Sequence, residues 1–130
     1  MEKKRTLPDP DFLWFAEQNH EQYDFVLLSN EVKEWSKYLF ELHRLHKYFK
    51  DSIVSGEIHI RKPENRIFLY AIQRIQRDPQ ECIFVDNSVR NLTTAQEFGI
   101  NSVLFNRDQK TYFGNIVNDF RELDNFLKDI

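Results

Sequence analysis

Ile83-Phe84-Val85-Asp86-Asn87-Ser88-Val89-Arg90-Asn91 is the stretch on which the fold turns. Three apolar residues lead to an acidic one, a polar turn follows, and Val89, Leu92, Ala95 and Phe98 then recur at helical spacing. A strand that runs through a short loop into a helix is the building unit of α/β folds, and functional side chains in such folds sit at the carboxyl ends of strands. Gly99 follows the last apolar position of the helix, where a C-terminal cap is expected.

Working outward, residues 25–28 form a continuous apolar run, which suits a strand buried on both faces. A brief second strand over residues 52–55 is closed by Gly56, and a third over 82–85 leads to Asp86. A fourth strand is expected over 102–105. Between them, helices are predicted over 12–22 (Phe12, Phe15, Ala16 on one side), 32–47 (Trp35, Tyr38, Leu39, Leu42, Leu45) and 116–127 (Phe120, Leu123, Phe126, Leu127). A further helix begins near Pro63, which tolerates a first-turn position, and carries Ile67, Phe68, Ala71, Ile72 and Ile75 inward until Asp78-Pro79 breaks it. The alternation predicts an α/β fold with a doubly wound, mostly parallel sheet. Ser29 and Asp86 fall at the carboxyl ends of strands and Lys62 just before a helix, so the three are expected to converge on one edge of the sheet.

At 130 residues the chain is expected to be a single domain over 1–130, with residues 1–10 flexible and the segment 11–24 leading into the core. Twelve Phe point to a core built on large rings. The net charge of −3 and the lack of a basic stripe argue against nucleic acid as a partner. No apolar run reaches the length of a membrane span and no signal-peptide core is present, so no membrane partner is expected and a cytoplasmic location is. A single cysteine, Cys82, excludes an internal disulfide and a multi-Cys zinc site, and reads as a small hydrophobe at a strand start. His43 and His46 are three apart on a helix, but no third ligand accompanies them. Asp9-Pro10-Asp11 has an Asp-x-Asp spacing without a buried strand before it, and is read as a helix start with Asp11 as N-cap.

The residues at the expected edge suit a phosphoryl group, whose binding calls for positive charge, hydrogen-bond donors and usually a metal ion. Lys62 supplies fixed positive charge, and the Ser29 hydroxyl and Asn30 can donate to phosphoryl oxygens. Asp86 can hold Mg²⁺, a hard cation that takes carboxylate oxygens and waters. Asn91 can orient a metal-bound water from behind.

In these residues the chain resembles the haloacid dehalogenase-like (HAD) hydrolases of subfamily I. Ser29 matches the family's second motif, a Ser or Thr at a strand end. Ser55-Gly56-Glu57 through Arg61-Lys62-Pro63-Glu64 matches the third, and Asp86 with Asn91 the fourth. Three motifs in order and in strand-to-helix context make the signal specific. The resemblance implies Mg²⁺-dependent hydrolysis of a small phosphorylated substrate in the complete parent protein. An aspartate would attack phosphorus, and an acyl-phosphate would then be hydrolysed. Lys62 and Ser29 are the catalytic candidates, Ser29, Asn30 and Lys62 the phosphate-binding ones.

Two departures follow. The first motif, an apolar strand into Asp-x-Asp-x-Thr/Val, does not precede the others, so the chain is expected to be incomplete or inactive and to lack the sheet's central strand. Asn87 stands where the fourth motif usually has a second acidic residue, so metal binding through Asp86 and Asn87 is expected to be weak. The rival reading is a non-catalytic module that binds a protein partner or a phosphorylated ligand. The strands ending at Ser29 and Asp86 would flank the gap. They could pair directly, be covered by a second copy, or take a strand from another chain. Direct closure or self-association is the expectation.

Overall fold

A computed structural model describes residues 10–29, 48–54, 62, 65–106 and 109–130. The chain divides into two compact units, one reaching to His59 and the other starting at Ile60.

The first unit holds helix α1 (Pro10–Asn19) and strands β1 (Phe25–Ser29) and β2 (Phe49–Val54). Pro10 opens α1, a position where its missing N–H costs nothing, and Asp11 sits in the first turn, where its charge suits the helix dipole. Asp11 is therefore not the N-cap that the sequence led us to expect, because the helix starts one residue earlier. Asn19 ends the helix: its buried side chain donates from Nδ2 to Phe15 O at 3.0 Å, and its carbonyl accepts from Tyr23 N at 3.0 Å. β1 and β2 are parallel, with Leu27 opposite Ser52, Leu28 opposite Ile53 and Ser29 opposite Val54. β2 begins three residues before the expected 52. Phe49 earns that place by packing against Phe12 and Phe25, each with ring centroids 5.9 Å away. Phe15, Ala16, Tyr48 and Ile53 are buried here.

The second unit holds α2 (Asn65–Ile75), a 3₁₀ turn at Pro79–Glu81, β3 (Ile83–Asp86), α3 (Val89–Glu97), β4 (Asn101–Phe105), β5 (Asn115–Val117) and α4 (Phe120–Lys128). Its sheet has the order β3-β4-β5 and every pairing is parallel. β4 lies between the other two strands, and Ser102 to Phe105 are buried. The core gathers Ile67 and Phe68 from α2, Leu92 and Ala95 from α3, and Leu123 and Leu127 from α4. Phe68 meets Phe84 edge-on at 5.4 Å and Phe98 at 6.4 Å, and Phe105 meets Phe120 at 4.7 Å.

α3 is bounded as its sequence dictates. Ser88 caps its start by accepting from Asn91 N at 3.3 Å. Gly99, at φ +81°, ends it: Gly99 N donates to Gln96 O at 2.9 Å and Ile100 N to Ala95 O at 3.3 Å, the paired bonds of a Schellman motif. A Cβ on Gly99 would meet Pro79 Cβ at an ordinary 3.7 Å, so it is the backbone angle that calls for glycine.

The α/β class with parallel strands stands, and the expected elements at 12–22, 25–28, 52–55, 82–85, 89–98 and 102–105 are present with shifted ends. The last helix differs. Ile116 and Val117 belong to β5, and α4 starts only at Phe120, capped by Asp119 accepting from Glu122 N at 2.8 Å. A parallel strand normally follows a crossover of a dozen or more residues. β5 is three residues long and follows a short loop, so no crossover announced it. Among the described residues β1 pairs with β2 in the first unit, and β3 pairs with β4 in the second. The expected helix over 32–47, with His43 and His46, lies outside the described residues, as do Gly56 and Asn30.

Candidate functional site

The site is built on β3. Alternate side chains of a strand share a face, so Phe84 and Asp86 are on the same side of the sheet. Lys62 lies over both: its ammonium is 5.8 Å from the centre of the Phe84 ring and 3.5 Å from Asp86 Oδ2. The Phe84 ring is in turn set by Phe68 of the core. The two charged side chains are only 11% and 15% exposed, so this ion pair is shielded from solvent, unlike Lys50–Asp24 at the surface, where the side chains are 65% and 44% exposed. Shielding makes the pair's attraction strong and the loss of either partner costly.

Asp86 has two further partners. Its Oδ1 accepts from the backbone N–H of Asn87 at 2.9 Å, and its Oδ2 from Asn91 Nδ2 at 2.7 Å. Asn91 reaches back because it stands in the first turn of α3, and the Ser88 cap on its own N–H fixes that turn. Asp86 is thus held by a lysine, a backbone amide and a side-chain amide.

The sequence-predicted residues fall as follows. Lys62, Asp86 and Asn91 meet in one cluster within the second unit. Asn87 flanks it, with an exposed side chain and its backbone in the network. Ser29 closes β1 in the first unit, and its backbone is opposite Val54. Asn30 lies outside the described residues. The sequence reading missed Lys110: from the loop after β4 its Nζ donates to Asn87 O at 2.6 Å. A lysine in a loop beyond a strand's carboxyl end was the available signal. The 23-residue reach onto the β3–α3 turn was not readable.

Metal chemistry can be tested against this donor set. Among the described residues no three His, Cys, Asp or Glu side chains gather. Mg²⁺, however, is often held through one or two carboxylates, with waters and substrate oxygens completing its shell. An ionised carboxylate offers about four lone-pair sites. Oδ1 of Asp86 has a single donor in Asn87 N, so ligation of Mg²⁺ through Asp86 fits. Asn87 would add an uncharged amide oxygen.

Comparison with known proteins places this arrangement. The family model described as haloacid dehalogenase-like hydrolase matches residues 8–99. The chain is 30% identical over 93 residues to drimenol cyclase drtB of Aspergillus calidoustus, a match covering 72% of this chain and 16% of that protein. It is 29% identical over 85 residues to (S)-2-haloacid dehalogenase 4A of Burkholderia cepacia, covering 65% of this chain and 37% of the relative. The HAD phosphatase of Thermococcus onnurineus superimposes with a TM-score of 0.82 at 25% identity, covering 92% of this chain and 57% of that one. The chain thus spans well under two thirds of the length of each. The match over residues 8–99 takes in β1, β2, α2, β3 and α3 together with the Lys62–Asp86–Asn91 cluster, and the chain belongs to the haloacid dehalogenase-like hydrolase family.

Proposed function

We propose that this chain carries part of the site of a phosphoester hydrolase. The observation that carries the reading is the shielded cluster of Lys62, Asp86 and Asn91 at the carboxyl end of β3. Lys62 offsets the negative charge of a phosphoryl group. Asp86 anchors Mg²⁺, and Asn91 keeps the carboxylate turned toward it. When bound, the ion neutralises charge on the phosphoryl oxygens. Ser29 and Asn30 are the resemblance's donors to those oxygens. A carboxylate at position 86 favours phosphate esters over haloacids, since it supplies a cation ligand that displacement of a halide does not need.

The test is release of phosphate from p-nitrophenyl phosphate by the purified chain with and without Mg²⁺, beside release of halide from a 2-haloacid. Mg²⁺-dependent phosphate release that disappears in Asp86→Ala supports the proposal. Halide release without metal overturns it in favour of a dehalogenase, and phosphate release that survives Asp86→Ala belongs to a contaminant.

A second reading is favoured by Asn87: with one carboxylate in the cluster, the chain binds a phosphorylated ligand or a protein partner without turning anything over. Saturable binding of inorganic phosphate with no turnover supports that reading over the first.

A further inference from the structure

We propose that Lys110, aimed by Asn106, is a positioning residue for Asp86: it holds the β3–α3 turn in the arrangement that keeps the carboxylate turned toward Mg²⁺. This rests on the Mg²⁺-anchoring reading above and goes beyond it, because Asn106 and Lys110 lie outside the motifs that carry the family resemblance and beyond the matched residues 8–99.

Only residues 87 and 88 join β3 to α3. Both oxygens of Asp86 are held from this junction: Oδ1 accepts from Asn87 N at 2.9 Å and Oδ2 from Asn91 Nδ2 at 2.7 Å. Asn91 is fixed in turn by its own N–H on Ser88 Oγ at 3.3 Å. Each of these bonds spans five residues or fewer, so the junction can shift as a unit without breaking any of them. The bond from Lys110 is of another kind. Its Nζ donates to Asn87 O at 2.6 Å from 23 residues away and ties the junction's backbone to the loop after β4. Lys110 has other contacts as well, and this is the one that reaches the residue whose N–H holds Asp86.

The aim of Lys110 is set within its own loop. Asn106 N donates to Val117 O at 2.7 Å, tying the loop's start to β5. The side chain of Asn106 then clamps both backbone groups of Lys110: its Oδ1 accepts from Lys110 N at 2.7 Å and its Nδ2 donates to Lys110 O at 3.2 Å. Farther along, Tyr112 OH accepts from Gln96 Nε2 of α3 at 2.7 Å, and the Tyr112 ring lies so close over Gly114 that a Cβ there would come within 2.6 Å of it. The loop is thus fastened to β5 on one side and α3 on the other. A lysine stem is long and flexible, so a fixed origin is what lets one bond hold a turn. Groups behind a metal ligand set its orientation and so its affinity, and Lys110 does this for Asp86 through Asn87.

The experiment uses the whole chain. Mg²⁺ is titrated calorimetrically into the unaltered chain, Lys110→Met, Lys110→Arg, Asn106→Ala and Asp86→Ala, and exchange of the Asn87 amide with solvent is measured in EDTA. Lys110→Met should weaken Mg²⁺ binding about 3- to 10-fold, the low end for a residue behind a metal ligand, because Lys110 acts through one further bond. Its Asn87 amide should exchange up to about 10-fold faster, as the N–H bond to Asp86 opens more often. A purely electrostatic role has the opposite sign: taking an ammonium away from a cation site would tighten Mg²⁺ binding. Lys110 is exposed, so the larger guanidinium of Lys110→Arg has room to keep the donor, and that variant should stay within about 2-fold of the original. Asn106→Ala should move both readouts in the direction of Lys110→Met. Unchanged or tighter Mg²⁺ binding in Lys110→Met, while Asp86→Ala abolishes it, overturns the inference and leaves the Mg²⁺-anchoring reading standing. So does a lower melting temperature in Lys110→Met with Mg²⁺ affinity and Asn87 exchange unchanged, or a Lys110→Arg as weak as Lys110→Met. If the unaltered chain binds no Mg²⁺, both fall.

Discussion

Asp86 owes its role to three neighbours, and each can be removed separately. Asn91→Ala deletes the 2.7 Å bond to Oδ2 and leaves Lys62 in place. We expect it to weaken Mg²⁺ binding about 10- to 100-fold, as loss of a residue behind a metal ligand does. The cost in folding stability should be about 1 kcal/mol. Calorimetric titration with Mg²⁺ and a thermal melt check both, and unchanged Mg²⁺ affinity would show that Asn91 does not orient the ligand. Lys62→Met is a harsher change, since it removes the one cation opposite a shielded carboxylate and leaves it two amide donors, and should cost about 2–3 kcal/mol in the same thermal melt. Cys82 shows a different residue-scale effect. Burial pushes its thiol pKa up, with Glu81 and Asp78 adding to the rise and Arg77 opposing it. The thiol also donates weakly to Asp78 O at 3.5 Å. Alkylation by iodoacetamide should therefore be slow at neutral pH and reach its midpoint at higher pH than a free cysteine. The linkage has a sign: a thiol pKa raised by folding favours the folded state below the unfolded value, and that contribution is lost as pH rises through the folded one. A cysteine alkylated as fast at pH 7 as an unstructured peptide thiol would contradict this.

At the scale of elements, α3 is the best-specified piece of the chain, because its start and stop signals are local. Ser88 caps it and Gly99 ends it at positive φ. Gly99→Ala should cost about 1–2 kcal/mol, since an L side chain is strained in that region. A denaturant series should show a lower midpoint with an unchanged slope, and no shift would mean that the Schellman turn relaxes freely. The Gly99 stop was legible because capping needs only the residues next to the helix end, while Ser88 as the start emerged only from the structure. β5 was not legible. Its Asn115-Ile116-Val117 has the apolar content of a helix start, and only pairing to Val103, Leu104 and Phe105 makes it a strand. The same limit applies to Lys62, whose pairing with Asp86 crosses the whole of α2.

For the whole molecule, the consequence lies in the second unit's sheet. β3 is at its edge, with Ile83, Phe84 and Val85 apolar and partly buried, and among the described residues nothing pairs with its second side. Open edges of apolar strands are sticky. We propose that a second copy of the chain covers that edge, the self-association expected from the sequence. The isolated chain should then show a mass in light scattering that rises with concentration. Placing Lys at the edge, as in Val85→Lys, should lower it. A single-chain mass at every concentration would exclude self-association. No described helix is long and apolar enough to cross a membrane.

The sequence by itself determined the α/β class, strands near 25–28 and 82–85, the C-terminal cap of α3 and the family, because each rests on periodicity or on motifs whose chemistry is local. It also singled out Lys62, Asp86 and Asn91 as site candidates, since strand ends in parallel sheets collect functional side chains, but it did not show that they pair. Tertiary structure alone decided that Phe84 carries Lys62 on its ring, that Lys110 closes on Asn87, and that 115–117 is a strand. Those three depend on contacts between residues far apart in the chain, and their energies come from shared burial and pairing that no single segment encodes.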